Sequence, residues 1–189
     1  MIVVTILTSS DSSRAQDPHY GWFDLPSIIT VTNTINNPAS GILSTGFADL
    51  DEIFNGSLPN GVIMQLYGPE GSGKTQFVLH SIVASALNGN KVLLIDCCNG
   101  IHIIRLRNIL LHRVRKDGNI PAERIGAVVD IALSNIQIEK AFDIFSALDL
   151  LCKASDSSLY HFVAIDSYHR LFAQFLPVLD HSGDFNWIQ

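Results

Sequence analysis

The residues Gly68-Pro69-Glu70-Gly71-Ser72-Gly73-Lys74-Thr75 have the spacing G-x-x-x-x-G-K-T. Each position has a chemical use. Glycines let the backbone bend until several N–H groups point into one concavity, and a helix that starts directly afterwards adds the positive end of its dipole. The result is a seat for an anion. Lys74 adds a cation aimed at the β and γ phosphates of a nucleoside triphosphate, and the Thr75 hydroxyl is placed to bind Mg²⁺. The rival reading is a glycine-rich turn with an exposed lysine. Chance alone produces this spacing in on the order of 1% of chains of this length, and the flanking strand and helix patterns lower that further.

A triphosphate with its magnesium also needs a carboxylate at the end of a nearby strand. His161-Phe162-Val163-Ala164-Ile165-Asp166 supplies one, and Ser167 follows as a small polar neighbour. Asp166 could instead end a strand and cap the next helix; beside a phosphate loop, the metal-holding role is the expectation. Asp96 ends another apolar run, and its role as a supporting acid or as a helix cap stays open. Hydrolysis needs a group that orients the attacking water, usually a carboxylate. The expected place, just past Asp96, reads Cys97-Cys98-Asn99-Gly100 and holds no acid. A cysteine takes a proton only at a lowered pKa, and no basic neighbour is evident, so packing is the expected role of both cysteines. The set is equipped to bind a triphosphate and poorly equipped to cleave it.

The elements that must position these groups follow from apolar pattern. Val62-Ile63-Met64-Gln65-Leu66-Tyr67-Gly68 is a mostly apolar run closed by Gly-Pro, which predicts a buried strand. Residues 75–87 then predict a helix, 91–96 a second strand, and 101–117 a helix with Ile103, Ile104, Leu106, Leu110, Leu111 and Val114 broadly on one side. Residues 127–131 predict a third, short strand. Ile138, Ala141, Phe142, Phe145 and Leu148 predict the buried face of another helix. Residues 159–165 predict a fourth strand, ending at Asp166. Ahead of the phosphate loop, Leu50, Ile53 and Phe54 fall at helical spacing, with Thr45 able to cap that helix and Gly56 to end it. Residues 1–40 read as an irregular, partly ordered arm, and 41–189 as the core. Strands alternating with helices predict an α/β domain with a mostly parallel sheet flanked by helices.

Composition bounds the partners. Hydrophobic residues make up 47% and charged residues 16% of the chain, which excludes disorder for most of it. The net charge of −6 means that any nucleic-acid contact must be local rather than carried by overall charge. No apolar run approaches the roughly 18 residues of a membrane span, and the start, Met1 to Leu7, does not read as a signal peptide. Cys97, Cys98 and Cys152 are odd in number and form no C-x-x-C pair, so a reducing compartment fits better than a disulfide framework or a zinc site.

Arg105, Arg107, Arg113, Arg115 and Lys116 lie in one predicted helix. Arg105, Arg113 and Lys116 share a face, read as a solvated outer surface in preference to a nucleic-acid or partner surface. His102, His112, His161, His169 and His181 have no metal-ligand spacing and read as structural. Trp22-Phe23 is weak candidate interface material.

With these residues in view, Thr45-Gly46, Leu50-Asp51, Gly56, Gly61 and the loop from Gly68 to Thr75 resemble the core opening of the RecA-type recombinases. Val92-Leu93-Leu94-Ile95-Asp96 with Arg105-Leu106, and Ala164-Ile165-Asp166-Ser167, are similar to their second strand and magnesium strand. The resemblance covers roughly residues 41–180. Val92 to Asp96 and Leu106 to Arg113 look closest to the eukaryotic recombinase paralogues, in particular their X-ray-repair cross-complementing group-two branch. The resemblance implies a RecA-like nucleotide-binding core, ATP and Mg²⁺ as cofactors, and Gly68 to Thr75 with Asp166 as the binding residues. It also implies partnership with other recombinase paralogues in a heteromeric complex that assists recombination repair of DNA breaks, contact with single-stranded or branched DNA, and a nuclear location. Two departures from the pattern carry expectations. Family members that hydrolyse ATP have a glutamate where this chain has Cys98, so turnover is expected to be weak or absent. The family also adds, past the magnesium strand, a strand that inserts between the phosphate-loop strand and the magnesium strand. With Gln189 about twenty residues beyond Asp166, the fold is expected to be incomplete at its C-terminal end, with a gap or a bare edge in the sheet. A DNA-dependent ATPase and a small-molecule kinase remain alternatives.

Overall fold

Three near-continuous apolar runs become inner strands of one sheet. The structure, a computed structural model, describes residues 2–8, 28–33, 42–53, 58–59, 62–157, 159–172, 178–179 and 185–186. In chain order these form β1 (Ile2–Thr8), β2 (Ile28–Asn33), β3 (Ile42–Leu43), α1 (Ala48–Ile53), β4 (Leu58–Pro59), β5 (Val62–Gly68), α2 (Lys74–Leu87), β6 (Val92–Asp96), α3 (Ile103–Asp117), α4 (Ala122–Ser134), β7 (Ile136–Lys140), α5 (Ile144–Ser157), β8 (Phe162–Asp166), α6 (His169–Phe172), β9 (Val178–Leu179) and β10 (Phe185–Asn186). The main sheet has the order β2-β5-β1-β8-β6-β7. All its strands are parallel except β2, which runs antiparallel to β5 at one edge. β3 pairs with β4, and β9 with β10, in two small ribbons.

Alternation along each strand splits the core into two layers. Val92 and Leu94 of β6 pack with Phe162 and Ala164 of β8 beneath α2, α3 and α4. Leu93 and Ile95 pack with Val163 and Ile165 beneath α5 and α6. Every residue of β6 and β8 is buried, which is why both read as unbroken apolar runs. Complete burial of a Leu or Ile side chain contributes about 1.5–3 kcal/mol. In α3 the buried residues Leu106, Leu110 and Val114 recur every fourth position, so one stripe seats the helix on the sheet.

Four expectations need correction. Residues 127–131 lie inside α4, which buries Val129 and Ala132; the edge strand is β7, a few residues later, paired with β6. Of the residues expected to form one buried helix face, Ile138 lies in β7 while the buried Ala141 and the exposed Phe142 precede α5; α5 itself buries Ala147 and Ala154 and leaves Phe145 and Leu148 exposed. Small residues let α5 approach the sheet closely, and the bulkier positions lie round the helix from that stripe. In the segment expected to be irregular, Ile2–Thr8 and Ile28–Asn33 run as sheet strands. The sheet also has no gap between β5 and β8, because β1 lies there, parallel to both. Trp22, Phe23, Phe54, Gly56, Gly61 and His181 lie outside the described residues. No helix among the described residues is long and apolar enough to cross a membrane.

Candidate functional site

Parallel strands bring their C-terminal ends to one edge of a sheet, and ligands of open α/β sheets gather there. β6 and β8 pair in register with Asp96 opposite Asp166, and β5 ends at Gly68 opposite Thr8 of β1. The phosphate loop leaves β5 at that edge and α2 begins at Lys74. Gly73, immediately before the helix, has φ +86°, and Gly71 has φ +78°. Space for a Cβ is open at both, so it is the left-handed backbone that calls for glycine. Gly73 gives α2 no side-chain cap, which leaves first-turn N–H groups of the helix directed at the loop.

Lys74 is 5% exposed. Its Nζ donates to the Gly68 carbonyl at 2.8 Å, the Pro69 carbonyl at 2.6 Å and Ser72 Oγ at 3.3 Å. Burial lowers its pKa, against the opposing fields of Glu70 and Asp166. A phosphate oxygen is a stronger acceptor for this cation than a neutral carbonyl. Thr75 Oγ1 donates to Asp166 Oδ1 at 3.1 Å, so two hard oxygen ligands of the kind Mg²⁺ takes stand together. Asp166 is 1% exposed. Burial is the main cause of its raised pKa and Asp96 adds to it, while the Thr75 hydrogen bond, Arg105 and Lys74 oppose. A buried carboxylate left under-compensated in this way fits a divalent cation, which Thr75 and Asp166 would hold.

Asp96 has a different use. Its Oδ1 accepts from the N–H groups of Cys98 at 3.1 Å and Gly100 at 3.2 Å, and its Oδ2 from Ile101 N–H at 2.9 Å. It therefore organises the turn into α3, where Asn99 takes the left-handed conformation at φ +55°. Asp96 thus braces the loop ahead of α3 rather than capping the helix, whose N-cap position, His102, makes no side-chain cap bond. Cys98 Sγ lies 3.5 Å from Asp96 Oδ1. One ligand atom each from Asp96, Cys98 and Asp166 falls within 4.8 Å of the others, although the Asp96 oxygens already accept backbone hydrogen bonds. Burial first, then the neighbouring acids, raises the Cys98 pKa, against hydrogen bonds from Ser167 and the Gly100 backbone. The Cys97 thiol is pushed up to about 12, mainly by burial. Neither thiol is suited to accept a proton from water at neutral pH.

Lys74, Thr75, Cys98 and Asp166 line a cleft of about 380 Å³ that also includes Glu70, Gly71, Gly73, Gly100, Ser167 and Arg105. The structure thus brings Gly68 to Thr75 together with Asp166. It adds Arg105, which the sequence reading placed on a solvated face. Arg105 lies in the first turn of α3, and the first turn after a parallel strand sits at the ligand edge whatever its helical face; that position was the signal. Arg113 is also not simply solvated. Its guanidinium packs against Gly46, at the spot a Cβ there would occupy. Of the predicted basic cluster, Lys116 and Arg115 are exposed and Arg107 pairs with Asp130 at 2.7 Å. Among the described residues no histidine belongs to the cation-sized cluster.

Known proteins resemble this chain in sequence and fold. The family model described as "ATPase: KaiC" matches residues 43–99. The chain is 32% identical over 156 residues to the DNA repair protein RAD51 homolog 4 of Mus musculus, an alignment covering 77% of this chain and 44% of that protein. It is 30% identical over 148 residues to the DNA repair protein RAD55 of Saccharomyces cerevisiae, covering 75% of this chain and 33% of the relative. The crystal structure of the RadB recombinase superposes with a TM-score of 0.51 at 27% identity, covering 66% of this chain and 51% of that one. The chain therefore spans from a third to about half of the length of these three relatives. Its α/β architecture, its sheet flanked by helices and these similarities place it in the RecA-like recombinase superfamily.

Proposed function

We propose that this protein binds ATP with Mg²⁺ and acts as a recombinase paralogue, assisting recombination repair of DNA breaks within a heteromeric complex, with little or no turnover of the nucleotide. One observation carries the binding step: Lys74 and Thr75, at an uncapped helix N-terminus, lie beside the buried Asp166, with Thr75 Oγ1 3.1 Å from its carboxylate. The loop residues Gly68, Pro69, Glu70, Gly71, Ser72 and Gly73 supply the backbone cradle, Lys74 the charge, and Thr75 with Asp166 the metal ligands. Bound Mg²⁺ would neutralise phosphate charge. Lys74 and the α2 N–H groups orient the triphosphate, and Arg105 adds a second cation at the cleft.

Low turnover follows from Cys98. It occupies the stretch just past β6 where a water-orienting acid is expected, and its thiol keeps its proton. The repair setting rests on relatives whose names place them in DNA repair and recombination. The finer placement, in the X-ray-repair group-two branch, rests on Val92 to Asp96 and Leu106 to Arg113. From the same class of relatives we take paralogue partners, contact with single-stranded or branched DNA, and a nuclear location. Binding of ATP with Mg²⁺ by the wild-type protein and by Lys74→Ala tests the site by titration calorimetry. A loss of at least about 10-fold is expected for removal of a charge-assisted phosphate contact, and equal affinity would overturn the assignment.

A further inference from the structure

The main sheet has a seam. In the order β2-β5-β1-β8-β6-β7, β5 and β8 are not neighbours. β1 pairs with β5 from Val3↔Ile63 to Thr8↔Gly68 on one side, and with β8 from Ile2↔Phe162 to Thr5↔Ile165 on the other. Without β1 the ladder falls into two pieces, β2-β5 and β8-β6-β7. The candidate nucleotide site is split along the same line. Its phosphate loop, with Lys74 and Thr75, leaves the first piece; Asp166, Cys98 and Arg105 belong to the second.

Among the described residues a few side-chain bonds also cross the seam, including one from Asn135 Nδ2 to the Ala86 carbonyl of α2 at 3.3 Å. Thr75 Oγ1 meets Asp166 Oδ1 at 3.1 Å, and Gln65 Nε2 donates to Tyr168 Oη at 2.9 Å. All are isolated side-chain contacts, the Thr75 hydroxyl being shared with Asp166 Oδ2 at 3.4 Å. A strand hydrogen-bonded on both sides is a far stiffer spacer, since adjacent strands are held about 4.8 Å apart. Helix α2 lies over both pieces through apolar packing, which fixes spacing less sharply than a ladder does. β1 is also remote in sequence from both neighbours. Its docking therefore carries a loop-closure cost that its own ladder bonds must offset, which makes it an element able to leave the sheet.

We propose that β1 is the positioning element of the nucleotide site. Its docking sets the separation of the Lys74–Thr75 group from Asp166, and binding of magnesium nucleotide and docking of β1 stabilise each other. This rests on reading Lys74, Thr75 and Asp166 as a magnesium-nucleotide site. A coupling of this kind is reciprocal: what β1 does for the ligand, the ligand must do for β1.

Two measurements on the full chain test it. The first uses Val4→Pro. A proline inside a strand paired on both sides removes a ladder hydrogen bond. ATP affinity is measured by titration with Mg²⁺ and with a chelator in its place. The expected result is a loss of at least about 10-fold in Mg²⁺-dependent affinity, with magnesium-free binding, which uses the phosphate loop alone, within about 3-fold of wild type. The second needs no variant. Amide exchange in the peptide spanning Ile2–Thr8 of the wild-type protein is followed with and without saturating Mg²⁺ and a non-hydrolysable ATP analogue. Exchange at least about 10-fold slower with ligand is expected. Unchanged exchange there in a wild-type protein that binds the nucleotide overturns the coupling, as does a folded Val4→Pro variant with wild-type Mg²⁺ dependence. A wild-type protein that binds no nucleotide overturns the site reading instead, and with it the coupling.

Discussion

Asp166 carries opposed demands. Burial, reinforced by Asp96, raises its pKa above the unfolded value. A carboxyl shifted upward in the folded state opposes folding when ionised. That cost is absent below the unfolded pKa and complete once pH has risen through the folded pKa. Asp166→Asn removes the charge and keeps the shape. At pH 7.5 the ligand-free variant is expected to melt about 2–4 °C above wild type, the response of a domain of this size to ~1 kcal/mol. The gain should fade as pH falls toward the ordinary carboxylate value of about 4. The same variant should lose at least about 10-fold in Mg²⁺-dependent nucleotide affinity. A stabler protein that binds less well separates a metal-holding carboxylate from a structural one, and calorimetric melting with nucleotide titration reads both. Cys98 offers the complementary test. A carboxylate introduced there supplies the missing water-orienting group, and general-base catalysis is worth about 10²–10⁴-fold. Cys98→Glu is therefore expected to raise phosphate release by at least about 10-fold, and Cys98→Ser to leave it at the wild-type level.

At the scale of elements, legibility followed burial. β5, β6 and β8 were readable because inner parallel strands are apolar on both faces, and α2 because it follows the loop directly. The misreading of 127–131 has the same cause. Ala127-Val128-Val129-Asp130-Ile131 has strand-like composition, yet α4 buries only Val129 and Ala132 and leaves Ile131 65% exposed. β7, Ile136-Gln137-Ile138-Glu139-Lys140, is an edge strand whose polar positions hid it. β1 was invisible for another reason: nothing local to Ile2–Thr8 states that partners sixty and one hundred and sixty residues away will pair with it. Thr45-Gly46 was legible as a motif but not as geometry. Gly46 has φ +86°, and a Cβ there would fall on the Arg113 guanidinium and 3.0 Å from the His80 carbonyl. Ser81 Oγ donates to the Thr45 carbonyl at 2.9 Å, and Phe47 stacks on Phe77 at 5.7 Å, so this turn is clamped to α2 and α3. Gly46→Ala is expected to cost about 1–3 kcal/mol, from the left-handed backbone together with displacement of Arg113. Adding Arg113→Ala should recover only the steric part. Full recovery in the double variant, measured by urea unfolding, would mean that the backbone conformation costs nothing.

At the scale of the molecule, the site draws on both halves of the sheet and on three separate loops, so a bound ligand is a cross-link that the unfolded chain lacks. A ligand that binds only the folded state stabilises it by RT ln(1 + [L]/Kd), about 2.7 kcal/mol at one hundred times Kd. In a domain of this size that is a rise of about 5–10 °C in Tm. The size of the rise should depend on which halves the ligand can join. ATP with Mg²⁺ spans the phosphate loop and Asp166, and is expected to give the full shift at that concentration. ATP with a chelator engages the loop and α2 alone, so at the same total concentration it should give a smaller one. In Asp166→Asn the two conditions should converge on the smaller shift, because the variant removes the anchor on the second half. In Lys74→Ala the shift with Mg²⁺ should fall to about half or less of the wild-type value, as a loss of about 10-fold or more in affinity dictates, because the phosphate seat is weakened. A scanning-fluorimetry series over these proteins and conditions reads the pattern directly. Equal shifts with and without Mg²⁺ in the wild-type protein would mean that the ligand is held on one side of the seam only, and that Asp166 is a buried strand end rather than part of the site.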